Sequence, residues 1–297
     1  RDPLGIKPLC VGQIEGGFVV ASESSAIEIM GGNVIRDVEP GEIISINSNG
    51  INSHSITKSE DKAFCMFEYV YFARPDAKID GVLTYSVRQR IGHKLWEEAP
   101  LDADIIVPVP DSGIACALGF SEASNIVYRE GLIKNRYVHR SFIQPGNEER
   151  KATISEKLNP VKELVEGKRV VLVDDSIVRG NTSRQIIEMV RNAGAKKIYF
   201  ASYSPPIISQ NLYGIDIPTT DELIAVNSSH DEICKQIGAD VLFYGTLEDM
   251  FDACVEGNPN ITDLDMSCFD SVYKTCLLYT SPSPRDKRGS GVSEESW

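Results

Sequence analysis

Residues 170–183 read Val170-Val-Leu-Val-Asp-Asp-Ser-Ile-Val-Arg-Gly-Asn-Thr-Ser183. The stretch begins with an apolar run, which is typical of a strand buried on both faces of a sheet. Two carboxylates, Asp174 and Asp175, follow at the C-terminal end of that strand, and a turn around Gly180 comes next. Because ligands of open α/β sheets bind outside the carboxyl ends of the strands, this stretch predicts a ligand site as well as a strand.

The segments around this stretch alternate strands with helices. Apolar residues at 186, 187 and 190 share one helical face, Gly194 stands where a helix C-cap belongs, and Ile198–Ala201 is the next apolar run. Strand, helix and strand together form a βαβ unit. Nearer the N-terminus, Ile105–Val109 predicts another buried strand, and apolar spacing within 87–95 predicts a helix. We therefore expect an α/β fold with a parallel sheet flanked by helices.

The residues after the predicted strand suit a phosphate and a sugar. Gly180 lets the backbone approach a ligand closely. Loop amides, the helix N-terminus and the hydroxyls of Thr182 and Ser183 can then hold a phosphate. Carboxylates repel a phosphate, so Asp174 and Asp175 are expected to face ribose hydroxyls or a hydrated Mg²⁺. The alternative is structural: Asp174 caps the helix and the rest is a tight turn.

Composition limits the classes of function. The chain has 297 residues, 42% of them hydrophobic, and a formal net charge of -13. This acidity argues against nucleic acid or an anionic membrane surface as a partner, and no apolar run is long enough to span a bilayer. Seven dispersed cysteines without a C-x-x-C pair favour free thiols in a reducing compartment, so we expect a cytoplasmic protein. The first residue is Arg1 rather than Met, so we expect the natural N-terminus to lie upstream.

The composition and hydrophobic pattern of the sequence change at two places. Residues 1–57 read as short strands between turn signals, such as Glu42–Ile46 before the turn Asn47-Ser-Asn-Gly50. Residues 58–275 carry the alternating strands and helices. Residues 276–297 are rich in Ser, Pro and basic charge without any period, and they resemble translated adaptor sequence. We therefore predict a β-rich N-terminal part, one α/β domain, and a non-native or disordered tail.

Residues 170–183 resemble the phosphoribosylpyrophosphate (PRPP) motif of type I phosphoribosyltransferases. Further segments resemble the glutamine PRPP amidotransferases in particular; they are Phe67–Asp76, Gly131–Val138, Tyr213–Asp216, Arg1–Leu9 and Ala21–Ser24. The resemblance extends over about residues 1–275. It implies a type I phosphoribosyltransferase fold over 58–275. It also implies that 1–57 are the C-terminal β-rich remnant of a glutaminase domain of the N-terminal-nucleophile (Ntn) hydrolase class.

The resemblance implies roles for the motif and for residues elsewhere. PRPP would be bound by Asp174, Asp175, Ser176, Arg179, Gly180, Asn181, Thr182 and Ser183. Mg²⁺ would be held by Asp174, Asp175 and the hydroxyl of Ser112, for which helix capping is the alternative. Pyrophosphate would be neutralised by a basic, flexible lid and a neighbouring lysine, with Lys134, Tyr137, Arg140 and Lys157 as catalytic residues. The alternative for these cations is a solvated surface. His139 stands where the family usually has glycine, which puts the hinge of the lid in question.

The activity implied by the resemblance is displacement of pyrophosphate from PRPP by ammonia, the first committed step of purine biosynthesis. In the complete family, ammonia comes from glutamine, which is hydrolysed at an N-terminal cysteine. None of the seven cysteines stands at the start, so we expect this chain to use ammonia but not glutamine. Purine nucleotides are implied as feedback inhibitors, and a homo-oligomer is expected for the full-length protein.

Some members of the family hold an iron–sulfur cluster. Cys65 fits one ligand position and Cys268 lies near another, but Asn211 occupies a third, and the paired C-x-x-C near the C-terminus is missing. Four thiolates cannot be assembled, so we expect no iron–sulfur cluster.

Two other functions remain open on the residues alone. A purine-base phosphoribosyltransferase would share residues 174–183, although it would not account for the N-terminal β-rich part. A non-catalytic module that senses PRPP or a nucleotide could use the same fold, because fold does not determine function.

Overall fold

The computed structural model describes residues 1–55, 62–98, 100–135 and 157–275. Its strands are β1 (Cys10–Ile14), β2 (Gly17–Ala21), β3 (Asn33–Asp37), β4 (Glu42–Asn47), β5 (Gly50–Ser55), β6 (Phe64–Cys65), β7 (Lys78–Ile79), β8 (Val82–Leu83), β9 (Ile105–Pro108), β10 (Val127–Tyr128), β11 (Leu132–Lys134), β12 (Leu158–Pro160), β13 (Arg169–Asp174), β14 (Lys197–Ser202), β15 (Val241–Tyr244) and β16 (Leu264–Asp265). Its α-helices are α1 (Ser24–Ile29), α2 (Thr84–Glu98), α3 (Ile114–Ser124), α4 (Lys162–Val165), α5 (Asn181–Asn192), α6 (Ile224–Asn227), α7 (His230–Ile237), α8 (Leu247–Val255) and α9 (Ser267–Asp270). A π-helix spans Glu68–Phe72 and a 3-10 helix spans Thr220–Glu222. None of the helices in these ranges is both long enough and apolar enough to cross a bilayer.

The N-terminal part contains two antiparallel units. Strands β2, β1 and β3 form a sheet in that order, and β4 and β5 form a hairpin whose turn joins Asn47 to Gly50, as the turn signal predicted. The prediction of strands alone was wrong at one place, because α1 lies between β2 and β3. This helix has six residues and buries a single large apolar side chain, Ile27, so its sequence carries no visible helical period.

A parallel sheet of five strands forms the centre of the α/β part, in the order β10-β9-β13-β14-β15. Strand β13 lies in the middle and pairs with β9 on one side and β14 on the other. Every residue of β9 is buried, and so is β13 after its first residue, which explains their continuous apolar runs. The βαβ unit predicted from residues 170–201 is confirmed as β13, α5 and β14, and with it the α/β fold.

Helices α2 and α3 cross at very close range. A Cβ at Gly92 would lie 2.1 Å from the carbonyl oxygen of Cys116, and a Cβ at Gly119 would lie 1.9 Å from that of Gln89. Only glycine fits at these two crossing points. The predicted apolar stripe of α2, within 87–95, is buried in the core.

The N-terminal segment packs directly on the α/β part. Ile6 belongs to the same core cluster as residues of the central sheet, and its carbonyl oxygen accepts a hydrogen bond of 3.1 Å from the backbone N–H of Cys65. The guanidinium of Arg1 is buried and lies 3.1 Å from the carboxylate of Asp80. The two parts therefore share a core in this chain.

Candidate active site

Two carboxylates end the central strand. Asp174 and Asp175 are only 7% and 8% exposed, and they lie at the carboxyl edge of the sheet, where the sequence predicted them. The Asp174 Oδ1 atom accepts a hydrogen bond of 2.9 Å from the backbone N–H of Asp175. Asp174 is not the helix cap, because α5 begins at Asn181 and its N-cap residue is Gly180. The capping interpretation of Asp174 is therefore wrong.

The acidic pair carries a high electrostatic cost. Burial raises the pKa of Asp174 well above its usual range, and the charge of Asp175 raises it further. Burial also raises the pKa of Asp175, while hydrogen bonds from the hydroxyls of Ser176 and Ser112 and the charge of Arg88 act in the opposite direction. A cation at this edge would remove much of that cost. Two carboxylates and a hydroxyl are oxygen ligands that fit Mg²⁺, which keeps several waters and takes one or two protein carboxylates.

Ser112 reaches the acidic pair from the neighbouring strand. It lies in the turn between β9 and α3, and its hydroxyl bonds to the carboxylate of Asp175. Helix α3 begins at Ile114 with Gly113 as its N-cap residue and no side-chain cap. The turn is pressed against β13, since a Cβ at Gly113 would lie 2.2 Å from the carbonyl oxygen of Val173. The structure thus brings Ser112 into contact with Asp175, while its role as a metal ligand stays a prediction.

The loop after the acidic pair leads through Gly180 to the N-terminus of α5. Gly180 has φ +75°, a left-handed conformation, and directs the chain into the twelve-residue helix α5. Asn181 and Thr182 are exposed at its first turn, whereas Ser183 is buried. The guanidinium of Arg179 forms a 2.7 Å ion pair with Glu222. Free backbone N–H groups at this helix N-terminus favour a phosphate.

Of the predicted lid and pyrophosphate residues, Lys134 and Lys157 lie in the described part of the chain. Lys134 ends β11 and pairs with Asp111, the residue before Ser112, so it stands beside the acidic edge. Lys157 directly precedes β12, the strand that pairs with β11, and its carbonyl oxygen accepts a hydrogen bond of 2.7 Å from the backbone N–H of Asn135. Tyr137, Arg140 and His139 lie outside the described residues, as does the predicted tail 276–297.

Two buried residues near this edge were missed from the sequence. Arg88, on α2, is 2% exposed and donates hydrogen bonds of 2.8 Å to the carbonyl oxygens of Tyr69 and Ala73. Tyr203, directly after β14, is completely buried. The signal for Arg88 was a charged residue inside an apolar helical stripe; Tyr203 had none, because a tyrosine at a strand end is common.

The thiols of Cys65 and Cys268 both contact the side-chain amide of Asn211. The Asn211 Nδ2 atom lies 3.8 Å from Cys65 Sγ and 3.5 Å from Cys268 Sγ, and its Oδ1 atom accepts from two backbone N–H groups. Burial raises the pKa of Cys268 to about 12, and burial also raises the pKa of Cys65 well above its usual value. Two protonated thiols and an amide do not fit a cluster that needs four thiolates. Among the described residues, no group of three or more His, Cys, Asp or Glu side chains is placed to hold a metal ion.

Comparison with known proteins places this site in a family context. A phosphoribosyl transferase domain matches residues 89–203. The chain is 49% identical over 290 residues to the amidophosphoribosyltransferase of Methanocaldococcus jannaschii, covering 93% of this chain and 60% of that protein. It is 46% identical over 287 residues to the amidophosphoribosyltransferase of Bacillus subtilis, covering 96% of this chain and 60% of that protein.

Solved structures agree with these relatives. One described as the allosteric regulatory enzyme of purine biosynthesis superimposes with a TM-score of 0.85 at 43% identity, covering 93% of this chain and 60% of that one. The glutamine PRPP amidotransferase from B. subtilis complexed with ADP and GMP gives the same score and identity, covering 93% and 61%. The chain thus spans about 60% of the length of these relatives, with the predicted type I phosphoribosyltransferase fold and a β-rich part before it.

Proposed function

We propose that this chain, which is a homologue of the amidophosphoribosyltransferases over about 60% of their length, transfers the phosphoribosyl group of PRPP to ammonia. The observation that carries the proposal is the buried acidic pair at the end of β13, with the hydroxyl of Ser112 on Asp175. Such a pair is costly without a cationic or diol ligand. Its position beside a helix N-terminus suits a ligand that has a sugar diol and a phosphate.

Each part of PRPP has a matching part of the site. The ribose hydroxyls would donate hydrogen bonds to Asp174 and Asp175, and the 5-phosphate would lie over the amides that follow Gly180. Ser112 and the acidic pair would hold Mg²⁺, which would supply positive charge to the pyrophosphate oxygens when bound. Lys134 would exchange its exposed partner Asp111 for a pyrophosphate oxygen.

The reaction balances without a protein nucleophile. The lone pair of ammonia forms a bond to C1 of the ribose, while the bond between C1 and the pyrophosphate oxygen breaks and its electron pair leaves with pyrophosphate. The new ammonium group then loses one proton to solvent. The chain's own contribution is to hold C1 accessible, to neutralise the leaving group with Lys134, and to fix the diol at Asp174 and Asp175.

The relatives also support a proposal about the wider role of this chain. Because one relative is described as the allosteric regulatory enzyme of purine biosynthesis, we place the reaction of this chain in that pathway. The B. subtilis relative was solved with ADP and GMP, which supports purine nucleotides as feedback inhibitors here too. We further propose that residues 1–57 derive from a glutaminase domain, that 58–275 form the transferase domain, and that the full-length protein is a homo-oligomer.

The test is pyrophosphate release by the purified chain. PRPP, Mg²⁺ and ammonium at alkaline pH should give pyrophosphate and 5-phosphoribosylamine, whereas glutamine should not replace ammonium. Changing Asp174 and Asp175 together to Asn should reduce the rate at least about a hundredfold, because the diol and metal ligands are lost. Asp265→Asn is the matched control, since Asp265 is 2% exposed but pairs with the segment around Cys65, away from the acidic pair.

Other outcomes separate the alternatives. Release of pyrophosphate only with a free purine base would make the chain a base phosphoribosyltransferase. Calorimetric binding of PRPP without any release would make it a sensing module. Full activity of the double Asn variant would contradict the assignment of the site itself.

A further inference from the structure

Tyr203 is a large polar side chain in the core that the proposed reaction does not use. It is 0% exposed and follows β14 directly. Its hydroxyl donates a hydrogen bond of 2.6 Å to the carbonyl oxygen of Val70 and lies 3.4 Å from the carbonyl oxygen of Ser112. A phenol has one hydrogen, so the short bond to Val70 is the main one, and the carbonyl oxygen of Ser112 is the second and weaker acceptor of a bifurcated bond.

The backbone beside Tyr203 touches the other half of the site. The N–H of Tyr203 donates to the carbonyl oxygen of Asp174 at 3.0 Å, and the N–H of Ser204 donates to that of Asp175 at 2.9 Å. One residue thus contacts the acidic strand through its backbone and the Ser112 turn through its side chain. Asp174 ends β13, whereas Ser112 lies in the turn after the neighbouring strand β9, 62 positions away in the sequence, so local structure cannot set their spacing.

The anchor of the hydroxyl is itself immobilised. Val70 lies in the π-helix Glu68–Phe72, whose backbone is clamped by the buried guanidinium of Arg88 through bonds of 2.8 Å to Tyr69 and Ala73. A π-helix is rare and frequently occurs at functional sites. The hydroxyl of Tyr203 therefore has a rigid acceptor on one side and the Ser112 turn on the other.

We propose that Tyr203 is a positioning residue for the proposed Mg²⁺ and PRPP site: it holds the Ser112 turn at a fixed distance from the acidic pair. This inference rests on the proposed function, because the spacing matters only if Ser112, Asp174 and Asp175 share a cation. Removing the hydroxyl leaves the ring in the core and takes away one contact of the Ser112 turn, which keeps its packing against Val173 through Gly113. Ligand geometry of this kind is held by such supporting contacts.

The experiment compares two tyrosines of the same strand region. Tyr203→Phe removes the hydroxyl near the site, and Tyr199→Phe removes one within β14, where the hydroxyl donates a hydrogen bond of 2.9 Å to the carbonyl oxygen of Asp102. Both losses should lower the urea midpoint of unfolding by similar amounts. Calorimetric titration of PRPP at a series of Mg²⁺ concentrations should give Tyr203→Phe a requirement for Mg²⁺ roughly three- to tenfold higher, the range expected for one lost buried hydrogen bond. The Mg²⁺ requirement of Tyr199→Phe should stay within about twofold of that of the unmodified chain, because the lost hydrogen bond does not touch the site.

The outcomes distinguish the inference from the function on which it rests. Equal Mg²⁺ requirements for the two variants, with PRPP bound by the unmodified chain, would overturn the role of Tyr203 and leave the proposed function standing. Absence of PRPP binding by the unmodified chain would overturn both. A higher Mg²⁺ requirement in Tyr203→Phe alone, at matched stability, would support the positioning role, since a merely structural tyrosine would not change the metal dependence.

Discussion

Replacing Gly180 by alanine tests the phosphate cradle most directly. Gly180 has φ +75° and is the N-cap residue of α5, so an alanine there must adopt the left-handed conformation. Its Cβ would also lie 2.7 Å from Ile224 Cδ1 and 3.4 Å from Ile237 Cγ2. The first contact is too close, so the end of the Ile224 side chain or the loop itself must move.

The magnitude has two parts. An L-residue in the left-handed conformation costs about 1–2 kcal/mol. The contact with Ile224 adds about 1 kcal/mol, because the end of an isoleucine side chain can shift at modest cost. The free energy of unfolding should therefore fall by about 2–3 kcal/mol. At roughly 2–4 °C per kcal/mol for a domain of this size, the melting temperature should fall by about 4–12 °C.

The same chain offers a matched control. Gly167 has φ +72°, but a Cβ there would meet nothing within 4 Å. Gly167→Ala should therefore cost only the conformational part, about 1–2 kcal/mol, and should leave the affinity for PRPP unchanged. Gly180→Ala should also lower the affinity for PRPP at least about tenfold, since displaced loop amides could no longer converge on the phosphate.

The assay combines calorimetric unfolding with titration of PRPP in the presence of Mg²⁺. A Gly180→Ala variant that melts lower but binds PRPP like the unmodified chain would refute the cradle. A variant pair in which neither alanine lowers the melting temperature would refute the conformational argument.

Three further predictions concern other parts of the chain. The hydrogen bonds from Arg36 hold the pKa of Glu42 at about 2, below its ordinary 4.5, so its contribution is complete above that ordinary value and is lost as pH falls. Glu42→Gln should destabilise the chain by about 2 kcal/mol at pH 7, with the difference vanishing in urea titrations between roughly pH 4.5 and 2. Glu39→Gln, at an exposed pair, should change stability by less than about 0.5 kcal/mol at either pH. Asn211→Ala should lower the free energy of unfolding by about 2–4 kcal/mol in urea, because two backbone N–H groups and both thiols lose their partner. Lys134→Met should raise the KM for PRPP several-fold in pyrophosphate-release assays without lowering the melting temperature by more than about 1 °C, because its ion pair is exposed; an unchanged KM would contradict its place beside pyrophosphate.

The strands and helices that have a clear hydrophobic pattern in adjacent residues could be predicted from the sequence. Strand β13, helix α5 and strand β14 lie where the apolar runs and the helical period placed them, and Gly180 adopts the left-handed conformation at the turn that was expected. Helix α1 was not predictable, because a short helix that buries one isoleucine has no periodic signal. The place of Ser112 beside the acidic pair was implied by the family resemblance; the structure shows that Gly113, not Ser112, is the N-cap residue of α3, and the role of Ser112 as a metal ligand stays a prediction.

Contacts between residues that are distant in the chain could not be predicted from the sequence. Arg88 bonds to the π-helix, and Tyr203 links that helix to the Ser112 turn across 133 and 91 positions of sequence. Neither residue belongs to a motif, and a buried arginine or tyrosine reads as an ordinary core or surface residue until its partners are located. Such partners are chosen by packing, which is non-local and depends on how whole elements cross, as Gly92 and Gly119 illustrate.

Sequence alone thus determined the class of fold, the strand that leads to Asp174 and Asp175, and the glycine turn before the next helix, because each depends on residues adjacent in the chain. The tertiary structure decided that Ser112 faces Asp175, that Lys134 stands beside it through Asp111, and that Tyr203 bridges the two sides of the site. The physical reason is that hydrophobic periodicity encodes the local conformation, whereas the spacing of side chains from different strands is set by the packing of the core beneath them.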